Sequence, residues 1–177
     1  MLETPEVLLS AEEIDKRITE IAAQLSRDYA GKNLLMIGAL SGAVIFMADL
    51  ARKLTCEVEF DFIRTSSYGD ASRSSGNVQL RAAPTQDLQG RHVLLVEDIV
   101  DAGHTLVFLQ EYLNSQNPAS LRICTLLDKP SRREDSSVKF DYLGFSIPDY
   151  FVVGYGLDYA QRYRNLPYVG IIKTENN

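Results

Sequence analysis

Glu97, Asp98 and Asp101 lie close together in the chain, and the small turn Ala102-Gly103-His104 follows them directly, ahead of Thr105. Carboxylates accept hydrogen bonds from hydroxyls or bind hard cations, whereas a glycine turn entering a helix offers free backbone N–H groups to an anion. Carboxylate and phosphate repel each other, so the two sets must serve different parts of one ligand or meet through a metal ion. A ribose phosphate meets this condition. Neighbouring sugar hydroxyls reach Glu97 and Asp98, directly or through Mg²⁺, while the 5′-phosphate sits on Ala102, Gly103, His104 and Thr105. Asp101 lies between them and faces the reacting end. For Glu-Asp alone, a solvated loop capping the next helix is the plain alternative. An acidic receiver pocket would not need the glycine turn, and the Gly-x-x-x-x-Gly-Lys-Ser/Thr string of a P-loop is absent.

The elements around this string must hold it at the carboxyl end of a sheet. Val93 to Val96 is an uninterrupted apolar run, which predicts a central parallel strand covered on both faces. Glu97 and Asp98 are then expected at its carboxyl end, where open α/β sheets place ligands. From Thr105 the spacing of Leu106, Leu109 and Leu113 predicts a helix. Upstream, Ser10 and Glu13 form a capping-box pattern before the stripe Ile14, Ile18, Ile21, Leu25. Leu34 to Leu40 reads as a buried strand, Ser41-Gly42 as a turn and Ala43 to Leu54 as a helix. Val58, Phe60 and Phe62 alternate with Glu59 and Asp61, which predicts a strand with one wetter face or near an edge. Residues 65–77 hold five serines, two glycines and no aliphatic side chain larger than alanine. They make a loop, either a hairpin connection to a strand at Val78 and Leu80 or a lid, the reading that Tyr68 favours. Leu121 to Leu127 predicts another buried strand. Phe140, Tyr142, Phe145 and the run Tyr150 to Tyr155 predict short aromatic strands. The alternation argues for an α/β chain with a mainly parallel central sheet flanked by helices.

The string from Val93 to Leu106 resembles the phosphoribosyl pyrophosphate signature of the type I phosphoribosyltransferases, most closely the hypoxanthine-guanine branch. Leu40-Ser41-Gly42 is similar to that family's pyrophosphate loop, Ser67-Tyr68-Gly69 to its mobile catalytic loop, and Leu127-Asp128-Lys129-Pro130 to its base-recognition lysine. Phe151 to Tyr155, Leu157-Asp158-Tyr159 and Arg164 resemble its purine-stacking and metal-binding hood. The likeness runs from Val7 to Ile172. It implies transfer of phosphoribose to N9 of hypoxanthine, and of guanine, in purine salvage. Implied roles follow: Asp101 as proton acceptor beside N7, Glu97 and Asp98 near one Mg²⁺, Asp158 near a second, and Arg164 on pyrophosphate with Leu40, Ser41 and Gly42. Lys129 would meet the 6-oxo group, Phe151 would stack, Val152 would contribute backbone, and Ser67 and Tyr68 would close the lid. A cis peptide at Leu40-Ser41 is implied as well. For Asp101 a structural role in the turn stays open, as do a solvated Lys129 and a core Phe151. Ser41, Ala102 and His104 depart from the lysine, the hydroxyl residue and the lysine frequent at those places. The rivals are a xanthine- or guanine-preferring enzyme and an RNA-binding regulator on the same fold.

The 177 residues predict one domain, its hood formed by the amino- and carboxy-terminal segments, its lid by residues 65–77. With 24 acidic and 18 basic side chains the net charge is −6, which argues against a nucleic-acid surface. Cys56 and Cys124 fall in apolar strand-like runs and read as reduced residues of a cytoplasmic protein. No apolar run is long enough for a membrane span, and the polar, acidic start does not read as a signal peptide. Similar proteins are homodimers or homotetramers, and the resemblance implies the same here.

Overall fold

The computed structural model describes residues 4–67, 78–135 and 137–173. In chain order the elements are β1 (Glu6–Leu9), α1 (Ala11–Asp28), β2 (Leu34–Leu40), α2 (Val44–Lys53), β3 (Val58–Ser67), β4 (Val78–Ala82), β5 (His92–Val100), α3 (His104–Asn114), β6 (Ser120–Asp128), a 3₁₀ turn (Pro130–Arg132), β7 (Tyr142–Ser146), β8 (Val152–Val153) and β9 (Val169–Ile171). Helix α1 starts where the capping box places it: Ser10 Oγ accepts from the Glu13 N–H, and the Glu13 carboxylate accepts from the Ser10 N–H at 2.8 Å. Its stripe Ile14, Ile18, Ile21 and Leu25 is buried.

The main sheet has six strands in the order β4-β3-β2-β5-β6-β7, and all its pairs are parallel except β3 with β4. Leu34, Met36, Leu94 and Val96 point to the α1 and α2 side, while Leu35, Ile37, Val93 and Leu95 meet Leu106, Leu109 and Leu113 of α3. Because both faces are covered, these strands read as continuous apolar runs. From β2 the chain moves to β3 on one side; from β5 it moves to β6 and β7 on the other. The connections therefore diverge beyond the carboxyl ends of β2 and β5, opening the crevice in which such sheets bind ligands. A second, antiparallel sheet β1-β9-β8 joins the two terminal segments, and its Val152 and Val169 pack into the core on the α1 side.

Three expectations need correction. Strand β5 does not stop at Val96: its ladder with β6 continues through Glu97↔Thr125 to Val100↔Asp128, so Glu97 and Asp98 lie inside the strand. Backbone pairing carries the ladder on regardless of side-chain polarity. In β3 the polar and apolar faces are inverted. Asp61 is buried, whereas Phe60 and Phe62 are 51% and 39% exposed. The buried carboxylate accepts from the backbone N–H groups of Thr85 and Gln86 at 2.7 and 2.8 Å, which replaces water. Cys56 sits in a turn before β3 rather than in a strand; it and the buried Cys124 are free thiols.

Strand β4 supplies the partner expected from Val78 and Leu80, and Ser67 closes β3 opposite Val78. A further correction falls on Thr65 to Ser67, expected in the loop: they belong to β3, because their backbone pairs with Val78 to Leu80 of β4. Tyr68 and the remainder of the expected lid, residues 68–77, lie outside the described residues. Among the described residues no helix is long and apolar enough to cross a membrane.

Candidate active site

The crevice between β2 and β5 is where the acidic strand end meets the glycine turn. The Leu40-Ser41 peptide is cis. Gly42, next in the chain, has no room for a side chain: a Cβ there would lie 1.6 Å from Asp98 Oδ2. On the other side, a Cβ on Gly156 would lie 2.1 Å from the Gly42 carbonyl oxygen. The turn after β2, the end of β5 and the segment before Asp158 therefore touch backbone to carboxylate and backbone to backbone. Arg164 ties this corner together, donating to the Gly156 carbonyl at 2.6 Å and pairing with Asp158 at 2.8 Å. Asp158 also accepts from the Gln161 N–H.

Glu97 is buried, and its Oε1 has no hydrogen-bond partner among the described residues. Burial, and then the neighbouring charge of Asp98, push its pKa well above the usual carboxylate range. Asp98 is pushed up to about 6 by burial, although the Ile99 N–H and the Arg164 charge favour its ionised form and the Asp158 charge disfavours it. Glu97 is buried and Asp98 beside it half-buried, so a cation or hydroxyl donors at the orphaned oxygen would favour the ionised form of both.

Gly103, with φ of 101°, is the N-cap of α3, and no side chain caps this helix end. The first-turn N–H groups of His104, Thr105 and Leu106 have no intrahelical acceptor and present a partial positive charge. Asp101, Ala102 and His104 frame that end. His104 pairs through Nε2 with the Glu134 carboxylate at 2.8 Å. The Ala102 carbonyl accepts from the Glu134 N–H at 3.1 Å and the Asp135 N–H at 3.3 Å. A Cβ on Gly103 would meet Val138 at 2.5 Å and Arg133 at 3.3 Å, so the turn is packed from behind.

The other wall holds the residues expected to meet a base. Lys129 is buried rather than solvated, its backbone N–H bonded to the Val100 carbonyl and its ammonium 3.6 Å from Asp149. Phe151 is a surface residue, not a core one: it is 37% exposed, and its ring meets that of Tyr159 edge to face at 5.4 Å. Val152 is buried in β8, paired with Ile171, so its side chain belongs to the core. The contact Asp101 makes among the described residues is with a side chain. Its Oδ1 accepts from Arg132 Nε at 3.0 Å. Sequence reasoning missed Arg132, Asp149, Glu134 and the buried Asp128–Arg133 ion pair. All five are ordinary charged residues, with no spacing that marks them out.

A doubly covered parallel sheet with its ligand crevice at the switch point, an acidic pair, an uncapped helix start and an aromatic base wall describes a class of enzyme acting on a sugar phosphate and a flat ring. The family model described as a phosphoribosyl transferase domain matches residues 6–160. The hypoxanthine phosphoribosyltransferase of Haemophilus influenzae is 48% identical over 173 residues, covering 96% of each chain. The hypoxanthine-guanine phosphoribosyltransferase of Streptococcus pneumoniae is 47% identical over 169 residues, 96% of this chain and 93% of its own. Among solved structures, a Bacillus anthracis hypoxanthine-guanine phosphoribosyltransferase with a HEPES molecule in its active site superposes with a TM-score of 0.91 at 41% identity, covering 97% of this chain and all of its own. The chain belongs to the type I phosphoribosyltransferase family, in its hypoxanthine and hypoxanthine-guanine branch.

Proposed function

We propose that this chain transfers the phosphoribosyl group of phosphoribosyl pyrophosphate to N9 of hypoxanthine, and also of guanine, in purine salvage. The observation that carries this reading is the juxtaposition of the buried Glu97 and half-buried Asp98 with Gly42 and the uncapped α3 start, with Lys129 bonded through its backbone to Val100 at the end of the same strand. Glu97 and Asp98 would hold the ribose hydroxyls, and the Gly103 to Thr105 turn the 5′-phosphate. Leu40, Ser41 and Gly42, together with Arg164, would hold the pyrophosphate, the arginine as a charged clamp. Ser67 and Tyr68 would close over it.

In the transfer, N9 bonds to the anomeric carbon as the bond to the pyrophosphate oxygen breaks, its electron pair leaving with pyrophosphate. The base gives up its N7 proton to Asp101. Lys129 donates to the 6-oxo oxygen, an acceptor in hypoxanthine and guanine; adenine presents an amino donor there and would leave the buried ammonium unpaired. Phe151 covers a ring face.

The carboxylates also fit Mg²⁺, a hard cation that takes one or two carboxylates plus substrate oxygens and water. The orphaned Glu97 Oε1 is an oxygen such a cation would use, and its charge would draw the raised pKa values down. Glu97 and Asp98 would hold one ion and Asp158 a second. Among the described residues no three such side chains converge into a ready cage, so the substrate would supply part of the shell. When bound, the ion neutralises negative charge growing on the leaving pyrophosphate.

The same reading makes the protein a cytoplasmic homodimer or homotetramer. Phe60 and Phe62 on one face of β3, with Leu40 and Val44 also exposed, support self-association. The deciding experiment offers adenine, guanine, hypoxanthine and xanthine in competition, with phosphoribosyl pyrophosphate and Mg²⁺. Hypoxanthine should be consumed fastest, with guanine also turned over and adenine left behind. In Lys129→Gln, hypoxanthine efficiency should fall and discrimination against adenine weaken, because an amide offers either a donor or an acceptor. Adenine turnover matching that of hypoxanthine in the unaltered enzyme would overturn the assignment.

A further inference from the structure

Asp101 stands at one end of a line of charged side chains that leads away from the sugar site to the base-recognition lysine. Arg132 Nε donates to Asp101 Oδ1 at 3.0 Å, and its Nη1 lies 3.8 Å from Asp149 Oδ2. Asp149 Oδ1 in turn lies 3.6 Å from Lys129 Nζ. The proton acceptor and the 6-oxo donor are thus joined behind the ring through one arginine and one aspartate. On hypoxanthine, N7 and the 6-oxo group are neighbours on one edge, so the two protein groups that address them must be spaced to match.

Stability does not explain the arginine. Arg132 and Asp101 are 50% and 45% exposed, and exposed ion pairs of this kind contribute little to folding. Geometry offers a better reason. Asp101 sits in the bend between β5 and α3, and the partner its carboxylate has among the described residues is Arg132, on another segment. An arginine donor engaging one oxygen sets the orientation of the carboxylate and leaves the other oxygen for the base. Arg132 itself is placed by the 3₁₀ turn that starts directly after Lys129, whose carbonyl accepts the Arg132 N–H at 3.1 Å. Lysine and arginine therefore share one rigid turn.

We propose that Arg132 is a positioning residue for the transfer: held between Asp149 and Asp101, it fixes the Asp101 carboxylate at the distance from Lys129 that the N7 and 6-oxo edge of the purine requires. This rests on the reading of Asp101 as the N7 proton acceptor. Arg132 touches neither the sugar nor the pyrophosphate in this role, so its loss should act on the chemical step and not on phosphoribosyl pyrophosphate capture.

The test is a double-substitution cycle in the Mg²⁺-loaded enzyme, built from Arg132→Gln, Asp101→Asn and the pair together. Misplacement of a catalytic group by an ångström costs up to about 100-fold, so Arg132→Gln should lower kcat by about 10-fold or more while KM for phosphoribosyl pyrophosphate stays unchanged. In the Asp101→Asn background the same substitution should have no further effect, because there is no proton acceptor left to position. Arg132→Lys keeps a charged donor and should recover part of the lost kcat. The melting temperature of Arg132→Gln should match that of the unaltered protein. A loss of equal size in both backgrounds, or a raised KM for phosphoribosyl pyrophosphate, would overturn the positioning role while leaving Asp101 as the acceptor. An undiminished kcat in Asp101→Asn alone would instead remove the reading of Asp101, and the role of Arg132 with it.

Discussion

The half-buried Asp98 and the buried Asp61 are driven in opposite directions by their surroundings. Asp98 is raised to about 6, chiefly by burial. For Asp61 burial also raises the pKa, but the N–H groups of Gln86, Phe62 and Thr85 outweigh it and hold the group below its ordinary value. The stability consequences have opposite sign. A carboxyl whose folded pKa is raised binds more protons folded than unfolded, so its share of stability falls as pH rises from the unfolded value of about 4 through the folded one. At neutral pH the protein therefore bears the cost of ionising Asp98. Asp98→Asn should raise the melting temperature of the ligand-free protein at pH 7.5 and flatten its decline between pH 5 and pH 7.5, at the expense of phosphoribosyl pyrophosphate binding. Thermal melts at fixed ionic strength check this; equal melting temperatures for the two proteins across that range would contradict it.

At the scale of elements, Asp61 is the link between β3 and the segment that leads from β4 towards β5. One carboxylate oxygen accepts from the N–H groups of Thr85 and Gln86, the other from the Phe62 N–H at 2.7 Å. Asp61→Ala would leave buried donors without partners, each costing about 1–3 kcal/mol, so a loss of about 2–4 kcal/mol is expected in urea unfolding. The contribution of Asp61 should be present above the unfolded pKa and vanish as pH falls through the lower folded one. Asp61→Ala unfolding at the same urea midpoint as the unaltered protein at pH 7 would show that the segment is held by other contacts. The 3₁₀ turn after β6 matters in the same way, because it carries Lys129 and Arg132 on one backbone unit facing the end of β5.

For the molecule as a whole, the inverted faces of β3 leave an apolar surface where α2 does not cover the sheet. Phe62 packs over Gly38, where a Cβ would lie 3.3 Å from its ring, but the outer sides of Phe60 and Phe62 remain open. Sedimentation velocity at micromolar concentration should show a dimer or larger species, and Phe60→Glu should shift it towards the monomer with the far-ultraviolet dichroism unchanged. A monomer throughout would remove the assembly from the proposed function.

Periodicity and local chemistry determined much of this protein without any fold. The capping box at Ser10 and Glu13, the stripes of α1 and α3, and the apolar runs of β2, β5 and β6 depend on neighbours a few residues apart, and all are present in the structure. The string from Glu97 to Thr105 was legible because strand end, turn and helix start are contiguous in sequence. What only the tertiary structure decided are contacts between distant segments. No local pattern shows that Gly42 must lack a side chain because Asp98 lies against it, or that Gly156 presses on Gly42. Nor does any local pattern turn Asp61 inwards, since its partners Thr85 and Gln86 lie on another segment. The line from Lys129 through Asp149 and Arg132 to Asp101 is of the same kind. Its members look like ordinary surface charges until the sheet brings the ends of β5 and β6 side by side, and only then does their separation in space carry meaning.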